Sequence, residues 1–266
     1  MYPKLLHLYG PFELNSFNTL IILGLVVFIP AVLRHPDRAK YISENDFING
    51  ALEAALASLA GARLLAVISD WQNYTSLYDI VSFWKGGLSM LGGILGVVAY
   101  SLFSFSTKKV PSSFAFFDII ALYAPLIHAI ARIGCFLTGC CYGAPTSLPW
   151  GIEYAHPLVV APLHIKIHPT QLYSSLLYCA FFLVLRSVSA QYLPTTGKLL
   201  MLYLMGISLE RIFVDFFRGD RIVVTAPYEF FSFHQWIALA LFGTSLLGFI
   251  YIHWRHSTSH PPAQVQ

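Results

Sequence analysis

His-Ala-Ile-Ala-Arg-Ile-Gly-Cys-Phe-Leu-Thr-Gly-Cys-Cys-Tyr-Gly, residues 128–143, closes an apolar run that begins near residue 113. Arg132 stands inside that run. In a lipid-facing helix a buried guanidinium costs about 2.5–3.5 kcal/mol on insertion scales. Arg132 is therefore either held by a partner or placed to hold a ligand. The surrounding composition says that the solvent is lipid: of 266 residues, 56% are hydrophobic and 11% are charged, against about 25% charged in soluble domains. Net charge +3, without a basic run or stacking platform, argues against nucleic acid as a partner. Cys135, Cys140, Cys141 and Cys179 lie in or beside apolar segments, without the spacing of a disulfide scaffold or zinc knuckle. The first apolar run has neither a basic flank before it nor a small-residue cleavage site after it, so it reads as a retained anchor.

Working outward, seven apolar segments have the length of a membrane span, near 17–33, 47–69, 87–105, 113–139, 169–189, 197–217 and 230–254. The expected fold is an all-α polytopic membrane protein of about seven transmembrane helices. It is read as a single domain over 1–256, with a disordered cytoplasmic tail at 257–266. Loops are expected at 34–38, 70–73, 108–111 and 194–197. The longest, at about 140–168, carries Pro145, Pro149, Pro157 and Pro162, which deny it a regular helix. With the N-terminus outside, cytoplasmic loops carry eight Lys and Arg residues and outer segments five. The positive-inside rule then favours an outside N-terminus and a cytoplasmic C-terminus.

That orientation gathers polar residues at one depth, toward the outer leaflet. Arg132 lies near the outer end of its span, as do Glu210, Arg211, Asp215 and Arg218, while the segments starting at Gly86 and His168 enter from the same side. Arg211, Asp215 and Arg218 fall at i, i+4 and i+7, one helical stripe. A guanidinium offers donors that match phosphate oxygens in pairs, so Arg132 and Arg211 together suggest a lipid phosphate site. The plainer alternative has Asp215 neutralising Arg211 and Arg218 reaching to the interface. Gly92-x-x-x-Gly96 is a close-packing pattern. Gly86 and Gly87 add bare backbone that a headgroup can approach. His168-Pro169-Thr170-Gln171 suits a helix start, and its side chains either cap that helix or meet a headgroup or peptide. His128 is either a satisfied buried histidine or a proton acceptor. Cys135, Cys140 and Cys141 read as small packing residues, with a redox or mixed-disulfide role as the alternative; adjacent cysteines cannot easily chelate one tetrahedral ion and the nearby histidines are not at ligand spacing, so no metal and no cofactor is expected.

With these residues in view, the sequence resembles the prolipoprotein diacylglyceryl transferases, over nearly the whole chain. Gly-Gly-Leu-Ser-x-x-Gly-Gly at 86–93 is similar to the family's glycine motif, and Arg132-Ile-Gly134 to its Gly-Arg-x-Gly-Asn segment. His168-Pro-Thr-Gln-Leu-Tyr173 matches His-Pro-Ser/Thr-Gln-Leu-Tyr-Glu, and the 211–218 stretch matches Arg-x-x-x-Glu-Phe-Phe-Arg. The resemblance implies a monomeric enzyme of the bacterial inner membrane. Such an enzyme moves the diacylglyceryl group of phosphatidylglycerol onto the lipobox cysteine of a prolipoprotein signal peptide and releases glycerol phosphate. It implies Arg132, Arg211 and His168 as catalytic residues, with Gly92, Gly93, Gln171, Tyr173, Asp215 and Arg218 binding substrate. His168, His128 and Asp215 are the candidate bases. There are departures: Leu91 replaces a histidine, Cys135 an asparagine, Cys140 a commonly acidic residue, Ser174 a glutamate and Ile207 a tyrosine. The phosphate-binding half of the pattern is retained and the proton-handling half is altered. A member that binds phospholipid or peptide without transfer, or a thiol-dependent enzyme on the same scaffold, remains an alternative.

Overall fold

The computed structural model describes residues 3–9, 12–74, 76–83, 87–107, 114–192, 197–221 and 230–259. Among them are eight helices: α1 (Ser16–Leu33), α2 (Glu44–Ser69), α3 (Leu77–Val81), α4 (Met90–Ser106), α5 (Phe114–Thr138), α6 (Thr170–Tyr192), α7 (Lys198–Asp215) and α8 (Phe233–Ser259). Ahead of α1, two short strands pair, β1 (Lys4–Tyr9) and β2 (Phe12–Asn15). Helices α1, α2, α5, α6 and α8 are long and apolar enough to cross a bilayer. The apolar part of α4 is shorter, and α7 carries Lys198, Glu210, Arg211 and Asp215. Leu56, Leu64, Val26, Leu176 and Leu247 are exposed on helix faces, which hydrocarbon tolerates and water would not at this density. This is an all-α polytopic membrane architecture.

The seven long helices fall within a few residues of the seven segments read from hydropathy, and local chemistry explains the shifts. Gly87 sits at φ +67°, and Ser89 accepts from the Gly92 amide, so α4 starts only at Met90. Ser232 and Gln235 form a reciprocal capping box, Gln235 N donating to Ser232 Oγ and Ser232 N to Gln235 Oε1, which starts α8 at Phe233. Helix α8 runs to Ser259, three residues into the expected tail. The short helix α3 and the hairpin were below the reach of hydropathy. Lys85, Gly86, the loop residues 108–111 and 194–196, and tail residues 260–266 lie outside the described residues.

The chain forms two compact units. One is built on His35–Phe116, the other on Leu14–Arg34 with the chain from Phe117 onward. In the first, α2 and α4 cross at glycines. A Cβ on Gly92 would run into the Gly61 carbonyl and come to 2.7 Å from Leu65 Cβ, and one on Gly96 would meet the Ala57 carbonyl. The Arg63 guanidinium donates to the carbonyls of Asp79, Ile80 and Gly87, tying the α3 region to α2.

In the second unit, Leu122, Leu185 and Leu199 form a fully buried cluster among α5, α6 and α7. Asp118, also fully buried, accepts from the Gly197 and Leu200 amides at 2.7 Å each. It thereby satisfies the donors at the start of α7, where the helix dipole also favours a carboxylate. Those contacts fix where α7 begins, and α7 carries Glu210, Arg211 and Asp215 of the site described next.

Candidate active site

Arg132 sits in the last two turns of α5. That helix stops at Thr138 because Gly139 takes φ +71°, and Cys141 follows at φ +56°. The chain then runs to Pro169 without a helix, as its prolines require, and is held by isolated bridges such as Pro145 with Ile167 and Gly143 with Arg218. Tyr154, Ala161 and Ile167 give it a small core of its own. Its start is fastened by the beginning of α6. Gln171 Nε2 donates to the Cys140 carbonyl, and Thr170 Oγ1 donates to the Cys141 carbonyl, both at 2.8 Å. The end of α7 closes the other side, with Ala144 N donating to Phe217 O at 2.8 Å and Gly219 N to Tyr142 O at 3.0 Å.

These elements line a small cleft. Arg132, Arg211 and Arg218 supply its positive charge, Glu210 and Asp215 its negative charge, and Gln171, Ser174 and Cys141 its other polar groups. Asp215 is 1% exposed and shared: its oxygens lie 3.4 Å from Arg211, 3.8 Å from Arg218 and 3.8 Å from Arg221, and Ser232 Oγ donates to it. Arg218 does not reach out to the interface. Its side chain is 10% exposed and grips Asp220 through two 2.8 Å bonds. Burial opposes that charge most strongly, but the Asp220 hydrogen bonds together with the Cys141 and Asp220 charges outweigh it and hold the guanidinium's pKa above its usual value. Arg211 is paired only loosely. Arg132 has no ion pair or hydrogen bond from its side chain among the described residues, which leaves its donors for the cleft.

Glu210, which sequence reasoning noted in its span but gave no role, is a carboxylate on the cleft wall held by hydroxyls alone. Tyr178 donates to Oε2 at 2.8 Å and Ser174 donates to Oε1. The signal was available: an acid directly before Arg211 in an otherwise apolar helix, where an ionisable residue is a functional candidate by default. Gln171 has its own anomaly, because its buried Oε1 has no hydrogen-bond partner. Cys141 lines the cleft as well; hydrogen bonds from the Cys135 and Cys140 thiols, then the Arg218 and Arg132 charges, pull its pKa down.

The remaining predicted residues fall elsewhere. His168 Nδ1 faces the Tyr173 hydroxyl at 3.2 Å, that hydroxyl accepts from Trp150 Nε1 at 2.8 Å, and both rings pack against Phe217. Neither side chain lines the cleft. His128 is stacked on Tyr178 and bonded to the Tyr203 hydroxyl at 2.8 Å, a satisfied core histidine. Gly92 and Gly93 belong to the other unit, where they pack against α2.

The profile of the prolipoprotein diacylglyceryl transferase family matches residues 3–251. The chain belongs to that family. Among similar proteins is a phosphatidylglycerol–prolipoprotein diacylglyceryl transferase of Clostridium tetani, 32% identical over 222 residues, or 83% of this chain and 86% of that protein. One so named from Thermotoga maritima is 31% identical over 81% of this chain and 74% of its own length. Another, from Synechococcus elongatus, is 29% identical over 92% of this chain and 85% of its own length. Against the family pattern, position 174 is instructive. Serine stands there instead of glutamate, yet the Ser174 hydroxyl donates to Glu210, so α7 presents a carboxylate beside the position that lacks one.

Proposed function

We propose that this protein transfers the diacylglyceryl group of phosphatidylglycerol to the lipobox cysteine of a prolipoprotein, the first step of lipoprotein maturation. The observation that carries the reading is Arg132: a half-buried guanidinium without an ion pair, on a cleft it shares with loosely paired Arg211. In the reaction the substrate thiol gives up its proton and its sulfur attacks the glyceryl carbon bonded to the phosphate oxygen. A C–S bond forms, that C–O bond breaks, and glycerol phosphate leaves with the electron pair. Arg132 and Arg211 hold the phosphate and stabilise the charge that builds on the leaving oxygen. Arg218 and Asp215 fix the helix end that carries Arg211.

For the proton, Glu210 is the group best placed. Glu210 and Asp215 both line the cleft, but Asp215 is committed to arginines, and His128 is committed to Tyr203. His168, with Tyr173, orients the loop between α5 and α6 from behind the cleft wall. Gln171 Oε1, lacking a donor, suits a hydroxyl of the glycerol headgroup. The same reading includes seven spans, an outside N-terminus, a monomer, and a site facing the outer leaflet of a bacterial inner membrane. Gly92 and Gly93 serve it by letting α4 pack closely on α2.

Leu91, 59% exposed where a histidine is usual, favours a second reading in which the lipid is bound but not transferred. One experiment separates the two. Purified protein is incubated with labelled phosphatidylglycerol and a lipobox peptide, with a Cys→Ser peptide as control. Label on the cysteine peptide alone supports transfer; retained lipid with an unmodified peptide supports binding only.

A further inference from the structure

Three sulfurs, those of Cys135, Cys140 and Cys141, lie within 4.8 Å of one another. In a regular helix or strand the adjacent side chains of Cys140 and Cys141 would diverge, which is why the sequence argued against a shared ion. The backbone removes that divergence. Gly139 at φ +71° and Cys141 at φ +56° fold the chain back over the end of α5, where Cys135 waits. A cysteine at positive φ is a disfavoured conformation for a side chain without local hydrogen-bonding capacity. Here it is enforced, since Gln171 and Thr170 grip the carbonyls of Cys140 and Cys141. The Cys140 thiol donates to the Cys135 carbonyl at 3.8 Å and lies 3.4 Å from Thr138 Oγ1, which keeps it against the end of α5.

We propose that Cys135, Cys140 and Cys141 form a three-thiolate site for a thiophilic divalent cation of the zinc type. Zinc–sulfur bonds of about 2.3 Å in tetrahedral geometry set sulfurs about 3.8 Å apart, so the trio needs only a small inward movement. Three thiolates around a divalent ion leave one negative charge, and Arg132 and Arg218 on the adjoining cleft wall offset it. Three protein ligands also leave a fourth position, the arrangement of catalytic rather than structural zinc. Cys141 belongs to both the trio and the cleft, so that position is reached by a cleft ligand. A thiol is the matching ligand for such an ion; this last assignment rests on the transferase reading, whereas metal binding by the trio does not.

The test uses full-length protein, reduced and in detergent, titrated with Co2+ as a spectroscopic substitute for Zn2+. The expected result is thiolate-to-cobalt charge-transfer absorption saturating at one ion per chain and abolished by Zn2+. Cys135→Ser, Cys140→Ser and Cys141→Ser should each weaken binding by roughly tenfold or more, while Cys179→Ser, exposed on α6, leaves it unchanged. A helical wild type without that absorption overturns the site, as does absorption that survives in the three variants. Adding the lipobox peptide should shift the cobalt spectrum, and the Cys→Ser peptide should not; an unchanged spectrum overturns the open position. Because absorption is read rather than transfer, a chain that binds cobalt but transfers nothing refutes the transferase reading alone.

Discussion

Replacing Glu210 with glutamine isolates proton transfer from everything else in the cleft. The side chain is 7% exposed, and its two oxygens accept from Ser174 and from Tyr178 at 2.8 Å. Glutamine has the same shape, and both hydroxyls can rotate to meet its amide. Hydrogen bonds to a charged acceptor contribute about 1.5–3 kcal/mol and neutral ones about 0.5–1.5, so two weakened bonds cost roughly 2 kcal/mol. Relief from holding a buried charge offsets part of that, and the thermal midpoint should move only a few degrees. Turnover should fall much further, by about 10²–10⁴-fold if Glu210 takes the thiol proton. The Michaelis constant for phosphatidylglycerol should hold or fall, because removing a negative charge beside Arg132 and Arg211 does not weaken anion binding. The assay is the initial rate of mass gain on a lipobox peptide at saturating lipid. Turnover of Glu210→Gln within about fivefold of wild type would refute the assignment.

His168→Gln should retain turnover within roughly tenfold, since His168 lies behind the cleft wall; a loss of more than about 10²-fold would return the proton to histidine. Asp118→Asn keeps one acceptor for two amides at the start of α7, and should lower stability by about 1–3 kcal/mol, read as an earlier thermal midpoint with unchanged Michaelis constants. Gly92→Leu should destabilise the α2–α4 crossing by roughly 1–3 kcal/mol or more, because its Cβ meets the Gly61 carbonyl. A variant as stable as wild type by thermal scanning would contradict that packing.

Long helices were legible because membrane spans announce themselves by length and apolarity, and the prolines of 140–168 announced an irregular connection. Helix starts were less so: the Ser232–Gln235 box and the Gly87 turn depend on single hydrogen bonds and one dihedral angle, which hydropathy does not register. Within the site, the stripe of Arg211, Asp215 and Arg218 was readable from spacing, and the structure brings Arg132 to it. The Asp220 clamp on Arg218 was not readable, since it depends on how the chain turns after α7. Glu210 was overlooked for a related reason. Position 174 looked like a lost carboxylate, and only tertiary contact between α6 and α7 reveals the acid facing it. The converging thiols were hidden in the same way, behind a positive φ at Cys141.

The central claim is that Arg132 holds the phosphate of a lipid whose diacylglyceryl group is passed to a thiol. It is tested most directly by comparing wild type with Arg132→Ala in the transfer assay, with α-helix content checked in both. The account predicts label on the peptide cysteine with wild type, and a loss of about 10²–10³-fold in the variant. Undiminished transfer by Arg132→Ala, or none by a folded wild type that retains the lipid, would contradict it.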